Sequence, residues 1–171
     1  HRPGSITVRK KRGLGITANH PLSTRLKAIC QKAGLQPQLY KDPRSMKWTK
    51  LVTNLMGNAS CAILDMTPGE VYRHPGLYEL EIKQLREALA VMDSLQLQPV
   101  SLPGLPSRLL AWVINHVPTA ISQPLLARVI QRGRGGKMPS FHIDLQAGKG
   151  ESEVSFLNGA VVREGAKLGL L

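Results

Sequence analysis

The sequence predicts a mainly α-helical domain behind a short α/β segment, with the division near Pro43. Three observations carry that prediction. Apolar residues recur at helical spacing through most of residues 44–168. Before Pro43 there is one helix pattern and one strand pattern after it, too little to make a domain alone. Charge changes at nearly the same place: residues 1–50 hold 12 Lys and Arg against a single acid, Asp42, whereas residues 51–171 hold 11 against 10. The formal net charge of +12 is therefore a property of the front end.

The elements follow in order. Ile6-Thr7-Val8 has strand character, and Gly13 and Gly15 punctuate what comes after. Pro21 to Gly34 reads as a helix, with Ser23 and Thr24 near its start, Leu22, Leu26 and Ile29 on one face, and Gly34 as its stop. Gln36 to Tyr40 reads as a strand. Arg44 to about Leu64 is expected as one helix. Leu77 to Leu97 is expected as a long amphipathic one, with Leu77, Leu80, Gln84, Leu85, Ala88, Met92 and Leu95 near helical spacing. Leu105–Val117 and Ile121–Arg132 are shorter helices separated by Pro118. Residues 134–150, rich in Gly and Lys, are expected to be irregular. Glu153–Leu168 is the last helix, with Ser152 as N-cap and Gly169 as C-cap.

The 171 residues suffice to bury a core without disulfides, and 42% hydrophobic with 20% charged residues is a globular composition. No apolar run reaches the eighteen or more residues of a membrane span. Cys30 and Cys61 form no CxxC and join no His cluster, which points to reduced thiols in a cytoplasmic protein and away from zinc or any other metal. The chain opens at His1 without Met and closes on Leu170-Leu171, so a domain with a remnant of another is expected. A nucleic-acid module would use Arg9-Lys10-Lys11-Arg12 as a phosphate-contacting arm. With aromatics at 4%, stacking platforms are few, and no recognition helix carries the basic residues. The Arg132–Lys137 stretch lacks the Ser or Thr and the leading strand of a P-loop. A third class, a noncatalytic helical module forming a homodimer through the 77–97 helix, is testable by light scattering.

The informative segment is Lys47–Leu64. Trp48, Leu51, Val52, Leu55, Met56, Ala59, Ala62 and Ile63 surround most of its circumference, yet Lys50, Asn54 and Asn58 recur at i, i+4 and i+8 on one stripe. A lysine and two amides on an otherwise buried helix suit a cleft wall that meets a carbonyl or hydroxyl ligand. Equally, Lys50 could reach solvent along its stem while the two Asn serve a helix crossing. A second group, Ser140, Asp144 and Glu153, flanks the Gly/Lys-rich stretch. From the residues alone, Glu153 is best explained as an acid in a helix first turn.

Together the two segments resemble the C-terminal domain of the ketopantoate reductase (2-dehydropantoate 2-reductase) family. Trp48, Lys50, Leu51, Asn54 and Asn58 fall on that family's W-x-K-L-x-x-N-x-x-x-N helix. Ser140, Asp144, Glu153 and Asn158-Gly159 fall on its S-M-x-x-D and T-E-I-x-x-x-N-G stretches. The resemblance covers about residues 36–171. It implies a 6-phosphogluconate-dehydrogenase-like C-terminal helical domain over residues 43–171, behind a remnant of a Rossmann nucleotide-binding domain over residues 1–42.

The resemblance also implies chemistry: NADPH-dependent reduction of a small 2-keto acid, 2-dehydropantoate to pantoate, with no nucleic acid or membrane partner. Lys50 takes the role of proton donor. Asn54, Asn58 and Ser140 bind substrate, and Glu153 supports Lys50 and contacts cofactor or substrate hydroxyls. Phe141-His142 departs from the family's usual Met and following polar residue, and Pro68 stands where some members have a further Asn. No GxGxxG follows a strand, so the cofactor is expected to be held mainly outside this chain, and the chain alone is expected to be inactive.

Overall fold

The computed structural model describes residues 13–134, 136–150 and 152–170. The strand expected at Ile6-Thr7-Val8 and the basic run 9–12 lie outside the described residues. The first described element is a strand, β1 (Gly13–Thr17), where the glycines suggested only punctuation. It pairs in parallel with β2 (Gln36–Tyr40), Gly13 opposite Gln36 and Thr17 opposite Tyr40, with α1 (Ser23–Lys32) as the crossover that a parallel pair needs. Gly13 permits a close approach: a Cβ there would lie 1.8 Å from the Cβ of Pro103.

The helical body begins at α2 (Pro43–Leu55). Asp42 caps it, its carboxylate accepting from Arg44 N at 2.9 Å and from the Ser45 hydroxyl at 2.6 Å, and Pro43 fits the first helical position, where no N–H is needed. The single helix expected over 44–64 is in fact two. Met56 leaves helical geometry and Gly57 turns left-handed (φ 67°), after which α3 (Asn58–Leu64) starts in a new direction. A glycine in that conformation costs little, whereas other residues pay for the Cβ clash.

Next comes α4 (Pro68–Arg73), unforeseen in the sequence, opened by a capping box between Thr67 and Glu70. Then α5 (Pro75–Ser94) runs through the middle of the body, followed by α6 (Ser107–His116) and α7 (Thr119–Arg134). The stretch expected to be irregular contains α8 (Ser140–Gln146), a short helix with no buried residue that packs on α3. The last helix, α9 (Val154–Lys167), runs against α2 and α5 and ends before Gly169, which is left-handed.

The architecture is mainly helical, as the periodicity predicts. One core cluster, drawn from residues 52–161, gathers α5 residues Ile82, Leu85, Ala88 and Met92 with Val52 and Leu55 of α2, Val71 and Tyr72 of α4, Ile114 of α6 and Val161 of α9. The buried face of α5 is rotated from the expected one: Tyr78, Glu81 and Ile82 face inward, whereas Leu80 is exposed. Among the described residues no helix is long and apolar enough to cross a membrane.

Candidate functional site

Lys50 and Asn54 are one turn apart on α2, so they share a face; Lys50 is exposed and Asn54 half-buried. The Thr53 hydroxyl donates to the Lys50 carbonyl at 2.8 Å, a local bond of the kind that loosens a helix near its end. The expected three-residue stripe does not continue to Asn58. The break at Met56-Gly57 moves Asn58 to the first turn of α3, where it is buried at 2% exposure. Its Nδ2 has no hydrogen-bond partner among the described residues. Leaving a buried donor unmade costs about 1–3 kcal/mol, so such an atom calls for an acceptor.

The break itself rests on a residue that sequence reading missed. Glu81 of α5 is fully buried. Its Oε2 accepts from Gly57 N at 2.7 Å and from the Tyr72 hydroxyl at 3.3 Å, and its Oε1 accepts from the Ser60 hydroxyl. Burial pushes the Glu81 carboxyl above its ordinary value, partly offset by these donors and the Gln84 side chain. Tyr72 and Tyr78 meet edge to face beside it, 5.7 Å between ring centres. A glutamate at i+4 from Leu77 in an apolar helix reads as surface, and only tertiary packing reveals the three groups that need it.

The second group is brought together more directly. The Ser140 hydroxyl at the start of α8 donates to Glu153 Oε2 at 2.9 Å. Glu153 therefore does not cap α9 with its side chain. It occupies the N-cap position of a helix that begins at Val154, and Ser152 Oγ accepts from Val154 N at 3.4 Å. His142 Nε2 donates to Asp65 Oδ1 at 2.6 Å, tying α8 to the end of α3, and Lys149 Nζ donates to Asp144 at 2.7 Å. The five predicted residues thus sit on α2, α3 and α8 and at the N-cap of α9, elements that pack as α2 on α9, α3 on α8 and α2 on α3.

A cleft of about 360 Å³ opens between α2 and α9, lined by Arg44, Lys47, Trp48, Leu51, Ala160 and Glu164. A larger one, about 660 Å³, lies between α5 and α6 beside Arg86, Arg108 and Trp112, and neither cleft is lined by any of the five predicted residues. The described residues also lack a cradle for a dinucleotide diphosphate. Gly13 and Gly15 lie inside β1 rather than in the turn after it, and a Cβ at Gly15 would meet Met46 and Tyr40.

The described residues thus form a helical body that carries Lys50 and Asn54 on one face of α2, a buried Asn58 at the start of α3 and a hydrogen-bonded Ser140–Glu153 pair. Residues 42–170 match the family described as ketopantoate reductase PanE/ApbA C terminal, and the chain belongs to that family. It is 27% identical over 142 residues to a 2-dehydropantoate 2-reductase of Archaeoglobus fulgidus, covering 83% of this chain and 40% of that protein. The fold is similar to that of a PanE/ApbA family ketopantoate reductase from Ralstonia eutropha JMP134, with a TM-score of 0.73 at 24% identity over 95% of this chain and 47% of that one. It is also similar to D-mandelate dehydrogenase in a complex with NADH, with a TM-score of 0.69 at 16% identity over 93% and 49% of the two chains. The chain spans less than half the length of these relatives.

Proposed function

We propose that the chain is the substrate-binding part of an NADPH-dependent 2-keto acid reductase acting on 2-dehydropantoate to give pantoate in the cytoplasm. In this reading residues 1–42 close a nucleotide-binding α/β domain and residues 43–171 form the substrate domain. The observation that carries it is the buried, unpartnered Nδ2 of Asn58 in a family whose members are named for reducing a keto acid. In this reading a carboxylate or hydroxyl oxygen of the substrate supplies its acceptor, and the neighbouring side chains must give way for it, since Nδ2 is closed off from solvent in this fold.

The dihydronicotinamide, when bound, supplies a hydride to the carbonyl carbon. Everything else falls to this chain's residues. Charge grows on the carbonyl oxygen as the C–H bond forms, and the Lys50 ammonium stabilises it and delivers a proton, leaving a 2-hydroxy acid. Asn54 and Ser140 join Asn58 in orienting the hydroxyl and carboxylate. Glu153, whose Oε2 already accepts from the Ser140 hydroxyl, accepts from a cofactor or substrate hydroxyl and supports Lys50.

The test is Lys50→Ala in the protein that joins this chain to its nucleotide-binding domain. Expected is a fall in kcat of about 10²- to 10⁴-fold with an unchanged melting temperature. An unchanged kcat on 2-dehydropantoate refutes the role. The chain alone is expected to oxidise no NADPH with any 2-keto acid.

A further inference from the structure

We infer that Glu81 is a positioning residue for substrate binding, acting through Asn58. The inference rests on the functional reading above for its substrate and on the structure for its geometry.

Burying a carboxylate completely is expensive, and an apolar residue of similar volume would serve stability as well or better. The fold keeps Glu81 at 0% exposure on its central helix, directly beneath the break between α2 and α3. Three donors around that break are directed at Glu81: the Gly57 amide, which the end of α2 leaves outside any helix, the Ser60 hydroxyl and the Tyr72 hydroxyl. Asn58 lies between Gly57 and Ser60 in sequence, and among the described residues its buried Nδ2 has no hydrogen-bond partner.

The consequence is chemical selectivity inside the chain. By occupying the Gly57 and Ser60 donors, Glu81 leaves them nothing to offer the Asn58 carbonyl oxygen. The amide therefore keeps the orientation that presents Nδ2 as a donor. Without the carboxylate, the Ser60 hydroxyl and Gly57 N–H seek another acceptor, and the nearest uncommitted amide in sequence is Asn58 itself. The substrate then meets a rotated amide, or one already engaged. Binding suffers while the proton donor, Lys50 on α2, is untouched.

The test has two arms. In the full 171-residue chain, the Asn58 side-chain amide signal is identified by NMR as the one lost in Asn58→Ala, and is compared between wild type and Glu81→Gln. In the protein joined to its nucleotide-binding domain, KM and kcat for 2-dehydropantoate are measured for Glu81→Gln, Asn58→Ala and the double variant. Expected are a displaced Asn58 signal and a KM raised about tenfold with kcat within about threefold, the KM effect vanishing on the Asn58→Ala background. A folded Glu81→Gln with an unmoved Asn58 signal and an unchanged KM overturns the inference, as does a KM effect that persists without Asn58. If Glu81→Gln fails to fold, Glu81→Asp, whose shorter side chain withdraws the carboxylate from the Gly57 and Ser60 donors, is read the same way: an unmoved Asn58 signal overturns the inference. Should the wild type reduce no 2-keto acid, the functional reading falls, and the Asn58 signal still decides the role of Glu81.

Discussion

The βαβ unit of residues 13–40 and the helical body of residues 43–167 differ in how their central helices are packed. In the body, Leu85, Ala88 and Met92 of the central helix are wholly buried in one continuous cluster. In the βαβ unit, the apolar face of α1 points outward: Leu22 is 57%, Leu26 45% and Ile29 55% exposed, and no residue of β1, α1 or β2 joins the core cluster. The helix still closes a parallel strand pair, so its topology is complete while its packing is not. The body has a packed interior of its own, although it too leaves apolar residues outside, with Ile63 75%, Phe156 70% and Ile121 66% exposed.

The sharpest way to break this comparison is by core truncation. Leu85→Ala or Met92→Ala is expected to cost about 2–5 kcal/mol in urea unfolding, because each leaves a cavity in a packed interior. Gly57→Ala comes next: a Cβ at φ 67° costs about 1–2 kcal/mol and would sit 3.4 Å from Cys61 Sγ, so the unfolding midpoint should drop and KM should rise with it. Leu26→Ala is expected to change the stability of this chain by less than about 0.5 kcal/mol. The same substitution in the protein joined to its nucleotide-binding domain should cost several times more, if that domain covers α1. Equal costs in the two settings would mean that α1 faces water in both.

Two carboxylates extend the comparison to pH. Glu81, inside the body, holds its proton more tightly in the fold than in the unfolded chain, since burial raises its pKa. Its favourable contribution is fully present below the ordinary glutamate value and is lost as pH rises through the raised one. Asp42, at the junction, is held below its ordinary value, chiefly by the Ser45 hydroxyl, so its contribution is present at neutral pH and lost on acidification. Urea midpoints between about pH 3 and about pH 8 should show the margin of wild type over Glu81→Gln shrinking as pH rises, and its margin over Asp42→Ala shrinking as pH falls.

What was legible in the sequence follows from which forces are local. The strand at 36–40 and the helices α1, α5, α6, α7 and α9 are set by periodicity, caps and proline, and their positions agree to within a few residues. The short helix α4 announces itself only through Thr67, Pro68 and Glu70, a capping box easily overlooked in six residues. The division of α2 from α3 hinges on Gly57, which a helical pattern tolerates on paper; the amide freed by the break is taken up by Glu81, 24 residues away. For the same reason the Lys50–Asn54–Asn58 stripe was readable as a set of residue types but not as a shape. Ser140 and Glu153 were readable as separate polar residues, and their hydrogen bond depends on how α8 lies across the body. His142 reaching Asp65 spans 77 residues and leaves no local trace.

The contact between Gly13 and Pro103 has a consequence for anyone recombining such proteins. With 1.8 Å between a notional Cβ and the proline ring, the first strand and the loop before α6 are fitted to each other as a socket that admits only hydrogen at that position. A chimera grafting a foreign α/β half onto this body would keep its spacing only if it brought a glycine to that strand or surrendered the proline. Any other residue would wedge the halves apart, and the widened angle would be felt first by whatever must reach across from one half to the other.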